Sequence, residues 1–511
     1  MKKFLSILLC VVFVLTTATV WVGAEAATTT EADRIAAASK WDGTPLTVTS
    51  DAEVYTFEGL GTAASPYLIQ SAEDLAKLSA NVRYESYTTN YANKHFKLTC
   101  DVDFQNHGWY GIGGVETDTT NLWRDNKKRF EGTFDGDNHV IYNFNLVSEI
   151  DGRSVYVNGL FGHAGEGAVI KNIGIASGNV TLKNTNRVGA LLGVARYKLT
   201  IENCFNKANF NYTIDSGNNG YAEFRVGGLI GAVMNKDTSV HTFKNCYNTG
   251  NITVDAQVDV NVCVGGLMGY LADGTNIIEN CHNIGNITVT SVRTQLPANS
   301  ATDSRPRYFD NVVASLIGTY AFPGTMSVSG CSVDGTITYN SAAPTAETMV
   351  IGKMIGYTSG QIVFDNTCKV GVEVVPADNT AYQDVVAKGQ STQPTVDTTS
   401  AITIPVAEGE LYFIVAMEKE ETPAPGGDNG NSENNGTNNG GDNGNSENNG
   451  TNNGGNDETS APETNAPETN APETNASANE EKSGCGSVVG IGAVAVLAIV
   501  GAACTMRKKE D

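Results

Sequence analysis

The sequence predicts an all-β chain: a parallel β-helix solenoid with a short helical N-terminal cap, a disordered tether and a C-terminal transmembrane helix. Three observations lead to this fold class. Short β-rich segments recur at nearly constant spacing through the middle of the 511-residue chain. The first and last parts each contain an apolar stretch, and a polar low-complexity region separates the repeats from the second stretch.

The N-terminus has the organisation of a secretory signal peptide. Lys2 and Lys3 give a basic start, an apolar stretch follows, and Ala24-Glu-Ala26 supplies the small residues that a signal peptidase reads. We therefore expect residues 1–26 to be removed and 27–60 to form a lead-in to the folded part.

Six segments in the central region share an apolar-small-small-apolar-apolar-Gly pattern. Their closing glycines are 31, 38, 38, 49 and 38 residues apart, a variation typical of a solenoid with loops of unequal length. The segments are Val157-Asn-Gly-Leu-Phe-Gly162, Val188-Gly-Ala-Leu-Leu-Gly193, Val226-Gly-Gly-Leu-Ile-Gly231, Val264-Gly-Gly-Leu-Met-Gly269, Val313-Ala-Ser-Leu-Ile-Gly318 and Ile351-Gly-Lys-Met-Ile-Gly356.

Two further units follow most of these segments, of the types Ile201-Glu-Asn-Cys204 and Gly250-Asn-Ile-Thr253. Three short β-rich segments broken by Gly and Asn predict three strands and three turns in each coil. One such coil buries almost nothing alone. Coils stacked in parallel about 4.8 Å apart enclose an apolar interior and place equivalent residues above one another.

These units resemble the GLUG repeats of bacterial surface proteins. The resemblance spans Gly61 to Val375 and implies a right-handed β-helix, with 61–150 as cap and first coils and 151–375 as repeats. It carries little information on function, because one fold hosts many activities. Some GLUG-bearing proteins are zinc peptidases that cleave immunoglobulin A. That activity is not expected here, because no histidine precedes a glutamate and the His-Glu-x-x-His motif is absent.

The two ends of the solenoid need covers. Ser71 with Asp74 resembles a capping box, and Leu75, Leu78 and Val82 share one helical face, which predicts a short cap helix over the open strand edge. At the other end we expect 376–420 to form a cap, with a strand at Glu410–Ala416.

Five cysteines occupy one position of the repeat: Cys204, Cys246, Cys281, Cys331 and Cys368. Disulfides are the usual interpretation for an exported chain. We predict buried free thiols instead, because Ile173 holds the same position in the first repeat and cysteine packs as a small apolar residue. A zinc site is disfavoured, since the chain has no Cys-x-x-Cys pair.

The Gly-, Asn- and Pro-rich acidic composition of residues 421–486 predicts a disordered tether. From Glu421 to Lys482 there are 12 acids and 1 base, so this stretch contributes −11 of the net charge of −23. Residues 487–506 contain no charge and are long enough to span a bilayer, and the basic tail 507–511 stays in the cytoplasm. We therefore expect a single-pass protein of the cell membrane with its bulk outside the cell. The chain also lacks a Leu-Pro-x-Thr-Gly sorting motif.

Two groups of residues are candidates for ligand binding. The acidic pairs Asp101/Asp103 and Asp135/Asp137 could hold calcium or divide acid and base roles if each pair shares a strand face. The sequence around Asp135 is also typical of an ordinary turn. Trp109, Tyr110 and Trp123 could stack against sugar rings, or pack on the cap.

We predict a non-catalytic binding or adhesive module, with a glycan or a host or cell-wall component as ligand. We expect the cytoplasmic membrane as a partner through the C-terminal helix, no cofactor, no metal site and no nucleic-acid partner, since the body of the chain has no dense basic cluster. The alternatives are a polysaccharide-cleaving β-helix enzyme, either lyase or glycoside hydrolase, and a passive surface stalk.

Overall fold

A computed structural model describes residues 29–84, 90–114, 128–150, 153–216, 223–234, 239–272, 274–293, 311–321, 324–341, 349–375, 384–388, 393–398, 402 and 404. The chain divides into two compact units, 1–422 and 423–511, and all of the described residues belong to the first.

The described chain winds into successive coils, and each complete coil contributes strands to four parallel sheets. We number the sheets 1 to 4 in the order in which the coil that begins at Val157 contributes to them. Strands that occupy the same position in neighbouring coils pair in parallel, as Val157 with Arg187 and Ile173 with Cys204. This strand order is that of a parallel β-helix, as predicted; its right-handed sense stays a prediction.

Sheets 1 and 2 are formed by the Gly-rich repeat segments. The strands of sheet 1 are Val157–Asn158, Arg187–Gly189, Glu223–Gly227, Asn261–Gly265, Asn311–Ala314 and Met349–Gly352. The strands of sheet 2 are Phe161–Ala164, Leu192–Arg196, Ile230–Met234, Met268–Leu271, Ile317–Tyr320, Ile355–Thr358 and Val386–Lys388.

Sheet 3 runs from the cap to the last coil. Its main path is Ser39–Lys40, Val102–Asp103, Thr133–Tyr142, Ala168–Ile175, Leu199–Asn206, Val240–Lys244, Gly274–Glu279, Gly324–Ser329 and Gln361–Phe364. Strands joined beside this path are Tyr67–Ile69, His95–Leu98, Tyr247–Asn248, His282–Asn283, Ser332–Val333 and Lys369–Val370.

The strand of sheet 4 is the last strand of each coil, and the chain then continues into the next coil. Its strands are Asn179–Lys183, Asn209–Ile214, Ile252–Ala256, Ile287–Ser291, Thr336–Ser341 and Glu373–Val375. Two small pairs lie outside the four sheets: Gly108–Trp109 with Asn145–Leu146, and Glu149–Ile150 with Arg153–Ser154.

The prediction of three strands in each coil was wrong, because the Gly-rich segment forms a corner between two strands. In the third repeat the strand of sheet 1 ends at Gly227, Gly228 and Leu229 make the corner, and the strand of sheet 2 begins at Ile230. A Cβ at Gly227 would lie 1.9 Å from the carbonyl oxygen of Ile230, so only glycine permits this close turn. The motif therefore specifies a bend and not one continuous strand.

The interior is a stack of apolar side chains in which the repeat cysteines take part. Ile173 lies directly beside Cys204 in the register of sheet 3, so the predicted equivalence of the two positions is confirmed. All five repeat cysteines are buried and unpaired. Burial raises the pKa of the Cys246, Cys281 and Cys331 thiols well above the usual value. The prediction of buried free thiols is confirmed.

Two α-helices lie in the N-terminal part of the described chain. The predicted cap helix spans Ala72–Arg83; the Ser71 side chain accepts a hydrogen bond from the Asp74 amide, and the predicted apolar face is buried. A further helix, Glu31–Ala37, was not predicted, although Thr30 and Asp33 form a capping box at its start. A 3-10 helix, Asp51–Glu53, follows.

Several predicted elements lie outside the described residues. They are the signal peptide, the strand at 410–416, the tether at 421–486, the apolar segment 487–506 and the tail 507–511. No helix within the described ranges has the length and apolarity to cross a bilayer. Of the expected C-terminal cap at 376–420, the described part includes Val386–Lys388, which extends sheet 2, and Asp397, which bridges to Lys369.

Candidate functional site

The structure places Asp101 in a clamp that holds the first helix against the solenoid. Its carboxylate accepts hydrogen bonds of 2.8 Å from Nε and from Nη2 of Arg34, and one of 3.0 Å from the Val140 amide. His139 Nδ1 lies 3.0 Å from Oδ1. Burial by itself would raise the pKa of Asp101, but the hydrogen bonds from His139, Arg34 and Val140 lower it well below its usual value. This carboxylate therefore has a structural role, and both of its oxygens accept hydrogen bonds within the fold.

Asp103 is buried two residues further along and bonds to different groups. Its Oδ1 accepts hydrogen bonds of 2.8 Å from the Gln105 amide and from Nδ2 of Asn143. Asp101 and Asp103 therefore each stabilise a separate part of the cap. The structure does not assemble them into the shared acid and base or calcium pair that the sequence suggested.

Asp135 lies at the start of a bulge in the strand Thr133–Tyr142, and Asp137 lies within the bulge. Asp137 has a left-handed backbone conformation (φ 49°), and its amide donates to Oδ1 of Asp135 at 3.0 Å, so the turn interpretation is correct. Lys171 Nζ lies 3.0 Å from the Asp135 carboxylate, and Lys97 Nζ lies 2.8 Å from that of Asp137. Each acid is paired with its own lysine.

Asp135 also ends a ladder of asparagines on the outside of sheet 3. Asn172 donates to Asp135 at 2.8 Å, Asn203 to Asn172 at 2.8 Å, Asn245 to Asn203 at 2.9 Å and Asn280 to Asn245 at 2.8 Å. These four asparagines have φ near 52°, a left-handed conformation that asparagine tolerates. The asparagine that precedes the buried Ile173 or Cys position in each of these four coils therefore stabilises the stacking of coils.

The two described members of the predicted aromatic cluster, Trp109 and Tyr110, do not form an exposed aromatic surface. Trp109 is 1% exposed, stacks on Phe104 at 4.8 Å, and donates from Nε1 to the Leu160 carbonyl at 3.0 Å. Tyr110 is half-buried, with the Arg83 guanidinium 5.4 Å from its ring centroid. Trp123 lies outside the described residues. Trp109 belongs to the core, and its prediction as a binding residue was wrong.

A different aromatic site is present in the cap, and the sequence reasoning missed it. A surface cavity of about 390 Å³ opens beside the 3-10 helix. We call it the aromatic cavity; it is lined by Asp51, Val54, Tyr55, Thr56, Phe57, Tyr67 and Tyr91. Its volume lies in the range of about 300–1,000 Å³ that is usual for small-ligand sites.

Buried Asn81 of the cap helix holds two of the cavity residues in place. Its Oδ1 accepts from the Tyr55 amide at 2.9 Å, and its Nδ2 donates to the Tyr55 carbonyl at 2.8 Å. The same Nδ2 donates to the Tyr91 hydroxyl at 2.8 Å. Burial raises the pKa of Tyr91 to about 12, so this hydroxyl stays protonated at neutral pH.

Close backbone packing fixes the ring of Tyr67. Gly61 has φ +66°, and a Cβ there would lie 2.3 Å from the Tyr67 ring. Phe96 supports the ring from the interior at a centroid distance of 5.2 Å. The cavity rings are therefore held by glycine contacts, an internal aromatic and a buried amide.

Only tertiary structure brings the cavity together. Its residues come from the segment 51–57, from the strand Tyr67–Ile69 and from the loop that precedes His95–Leu98. The available sequence signal was the alternation Tyr55-Thr-Phe57 in the lead-in, followed by Gly59 and Gly61. Among the described residues, no group of three or more His, Cys, Asp or Glu side chains lies close enough to hold a metal ion.

The fold and site together define a parallel β-helix protein with an aromatic-lined cavity in its N-terminal cap. No family model matches the chain. A segment of 193 residues is 32% identical to the "Halomucin" of Haloquadratum walsbyi, covering 37% of this chain and 2% of that protein. A segment of 144 residues is 33% identical to a "Putative Gly-rich membrane protein" of Evansella cellulosilytica, covering 26% of this chain and 14% of that protein.

Both of these relatives are thus matched over only a small part of their length. Among solved structures, the chain is similar to a crystal structure titled "putative immunoglobulin A1 protease" from Bacteroides ovatus. That likeness has 19% sequence identity and a TM-score of 0.43, and it covers 66% of this chain and 85% of the other.

Proposed function

We propose that this chain is a membrane-anchored bacterial surface protein that acts as a non-catalytic binding or adhesive module. The observation that carries the proposal is the aromatic cavity, a preformed apolar site with polar groups at its edge. Such a site is suited to holding a small group of a larger surface component, either a glycan or a host or cell-wall component.

The surface location is supported by sequence features and by the relatives. Residues 1–26 resemble a signal peptide, 487–506 resemble a membrane span followed by a basic tail, and the repeats resemble GLUG repeats. One relative carries the words "membrane protein" in its name. These features support a solenoid outside the cell with its C-terminus at the cytoplasmic membrane.

The position of the cavity along the solenoid favours a binding role. Sheet 3 has nine strands on its main path from Ser39–Lys40 to Gln361–Phe364. Eight spacings of about 4.8 Å make the cap roughly 38 Å distant from the last coil. The tether sequence follows the last coil, so the cavity belongs to the end of the solenoid that is farther along the chain from the anchor.

The engagement of the acidic candidates supports a role without catalysis. Acid and base catalysis by two carboxylates needs groups that face the substrate with separated pKa values. Asp101 and Asp135 are each held by cationic and amide partners within the fold. For Asp135, burial would raise the pKa, but hydrogen bonds from Asn172 and the Asp137 amide and the Lys171 charge lower it.

Binding can be tested with the purified full chain in a neutral detergent. The chain is applied to arrays of glycans and to immobilised host matrix proteins, beside Phe57→Ala and Tyr67→Ala. We expect retention by the unmodified chain and its loss in both variants. Val363→Ala is the matched control, because Val363 is an exposed apolar residue of the last coil, remote from the cavity.

The alternatives give different results in the same material. If new reducing ends or unsaturated sugars appear in proportion to the added protein, and are lost in Asp101→Asn or Asp135→Asn, the chain is a polysaccharide-cleaving enzyme. Absence of both retention and turnover would favour the passive stalk.

A further inference from the structure

We propose that the aromatic cavity recognises a positively charged ammonium group on a small aliphatic or sugar skeleton. The inference rests on the proposed binding function and names the chemistry of its ligand. Two observations carry it: the arrangement of the rings and the sign of the charge at the rim.

The rings are inclined to one another and do not form one flat platform. The Tyr67 and Tyr91 rings are 6.3 Å apart at an angle of 71°, and the Phe57 and Tyr67 rings are 6.0 Å apart at 48°. Inclined rings can direct several π surfaces to a common volume. A cation is attracted to each π face by the ring quadrupole, and cages of this kind bind alkylammonium ligands.

The charge at the cavity is negative. Asp51 is the one charged residue among the seven that line it, and the set contains no lysine or arginine. Desolvation and then the interaction with Asp51 raise the pKa of the Tyr84 hydroxyl above its usual value. A carboxylate attracts an ammonium group. A phosphate or carboxylate ligand would be repelled by Asp51 and would meet none of the guanidinium or ammonium partners that anions require.

The site is organised before a ligand arrives. Asn81 holds the backbone of Tyr55 and the hydroxyl of Tyr91, and Gly61 packs against the ring of Tyr67. A preorganised cavity loses little conformational entropy when it binds. This explains how a small cation could be held with few direct hydrogen bonds.

Calorimetric titration of the purified full chain tests the inference at about pH 6.5, below the usual titration range of amines. The probes are choline, glucosamine and N-acetylglucosamine. The last two share a ring and differ in the charge on the nitrogen. We expect at least one of the two cations to bind, and N-acetylglucosamine to bind at least about tenfold more weakly than the cation that binds. Raising the salt concentration should weaken the binding of the cation.

Three variants separate the contributions. Asp51→Asn removes the charge with little change of shape, and Phe57→Leu keeps apolar volume but removes a π face. Each should weaken cation binding by about tenfold. Glu373→Gln, at an exposed position of the last coil, should leave it unchanged. Circular dichroism of each variant establishes that it is folded.

The outcomes distinguish this inference from the proposed function. Binding of choline alone would assign the site to quaternary ammonium groups, and binding of glucosamine alone to amino sugars; both support the shared chemistry. Equal binding of glucosamine and N-acetylglucosamine, unaffected by Asp51→Asn, would overturn the cation inference while the binding function stands. If no probe binds, and Phe57→Leu is retained on the glycan arrays and matrix proteins as well as the unmodified chain is, neither the cation inference nor the proposed binding function holds for this cavity.

Discussion

Replacing Asn81 by alanine should loosen the aromatic cavity while the solenoid stays folded. Asn81 is fully buried, and its side chain makes three hydrogen bonds, two to the backbone of Tyr55 and one to the Tyr91 hydroxyl. Alanine preserves the cap helix, because it is the best helix former. The change therefore removes the contacts between the helix and the cavity and little else.

The magnitude follows from those three bonds. Each intramolecular hydrogen bond contributes about 1 kcal/mol net, and an unsatisfied buried partner costs more, so we expect a loss of roughly 3 kcal/mol. The loss is local, because a solenoid is stabilised by nearest-neighbour contacts and its coils open separately. A change of 3 kcal/mol corresponds to about 100-fold in an opening equilibrium.

Hydrogen exchange measured by mass spectrometry can detect this opening. In Asn81→Ala, the Tyr55 amide should exchange about 100-fold faster, and peptides of sheet 4 should be unchanged. Asn340→Ala is the matched control, since Asn340 is an exposed asparagine of sheet 4. Exchange at residues 51–57 that equals that of the unmodified chain would refute the view that Asn81 holds the cavity, and so would unaltered ligand affinity.

Three further predictions concern the rest of the chain. Cys281→Ala should destabilise the folded state by roughly 1 to 2 kcal/mol through lost volume. The repeat thiols should react with Ellman's reagent only after denaturation. A disulfide found by mass spectrometry between two of them would contradict the prediction of free thiols. The folded-state pKa of Asp101 is lowered, so its stabilising effect is present above the unfolded pKa of about 3.9 and is lost as the pH falls. Asp101→Asn should therefore lower the melting temperature at pH 7, and the difference should shrink below about pH 4; a constant difference across this range would exclude the Arg34 clamp. Deleting 487–511 should release the protein into the medium, and retention on the envelope would indicate a second attachment.

Local patterns were sufficient wherever a residue's role repeats from coil to coil. The position shared by Ile173 and Cys204 was predictable, because stacking in register requires the same volume in every coil. The cap helix was predictable from Ser71, Asp74 and three apolar residues on one face, since capping and amphipathicity act within a dozen residues.

Patterns of that kind failed where the outcome depends on bends in the backbone. Gly227 was interpreted as part of a strand, although its lack of a Cβ allows the chain to turn onto the carbonyl of Ile230. Likewise, Asp135 and Asp137 are two residues apart, but the left-handed conformation of Asp137 breaks the alternation that would place them on one face. For Trp109 the sequence left both a sugar-binding surface and packing on the cap open, because its burial depends on neighbours from three separate segments.

By itself, the sequence determined the solenoid, the register of its interior stack and the free state of the repeat thiols, because these follow from a short motif repeated at one spacing. Tertiary structure alone decided which side chains are available to a ligand. It engaged the acidic pairs with Arg34, Lys97 and Lys171, and it gathered the aromatic cavity from segments up to about 40 residues apart. The physical reason is that a binding site depends on contacts made once in the chain, and such contacts leave no periodic trace in its sequence.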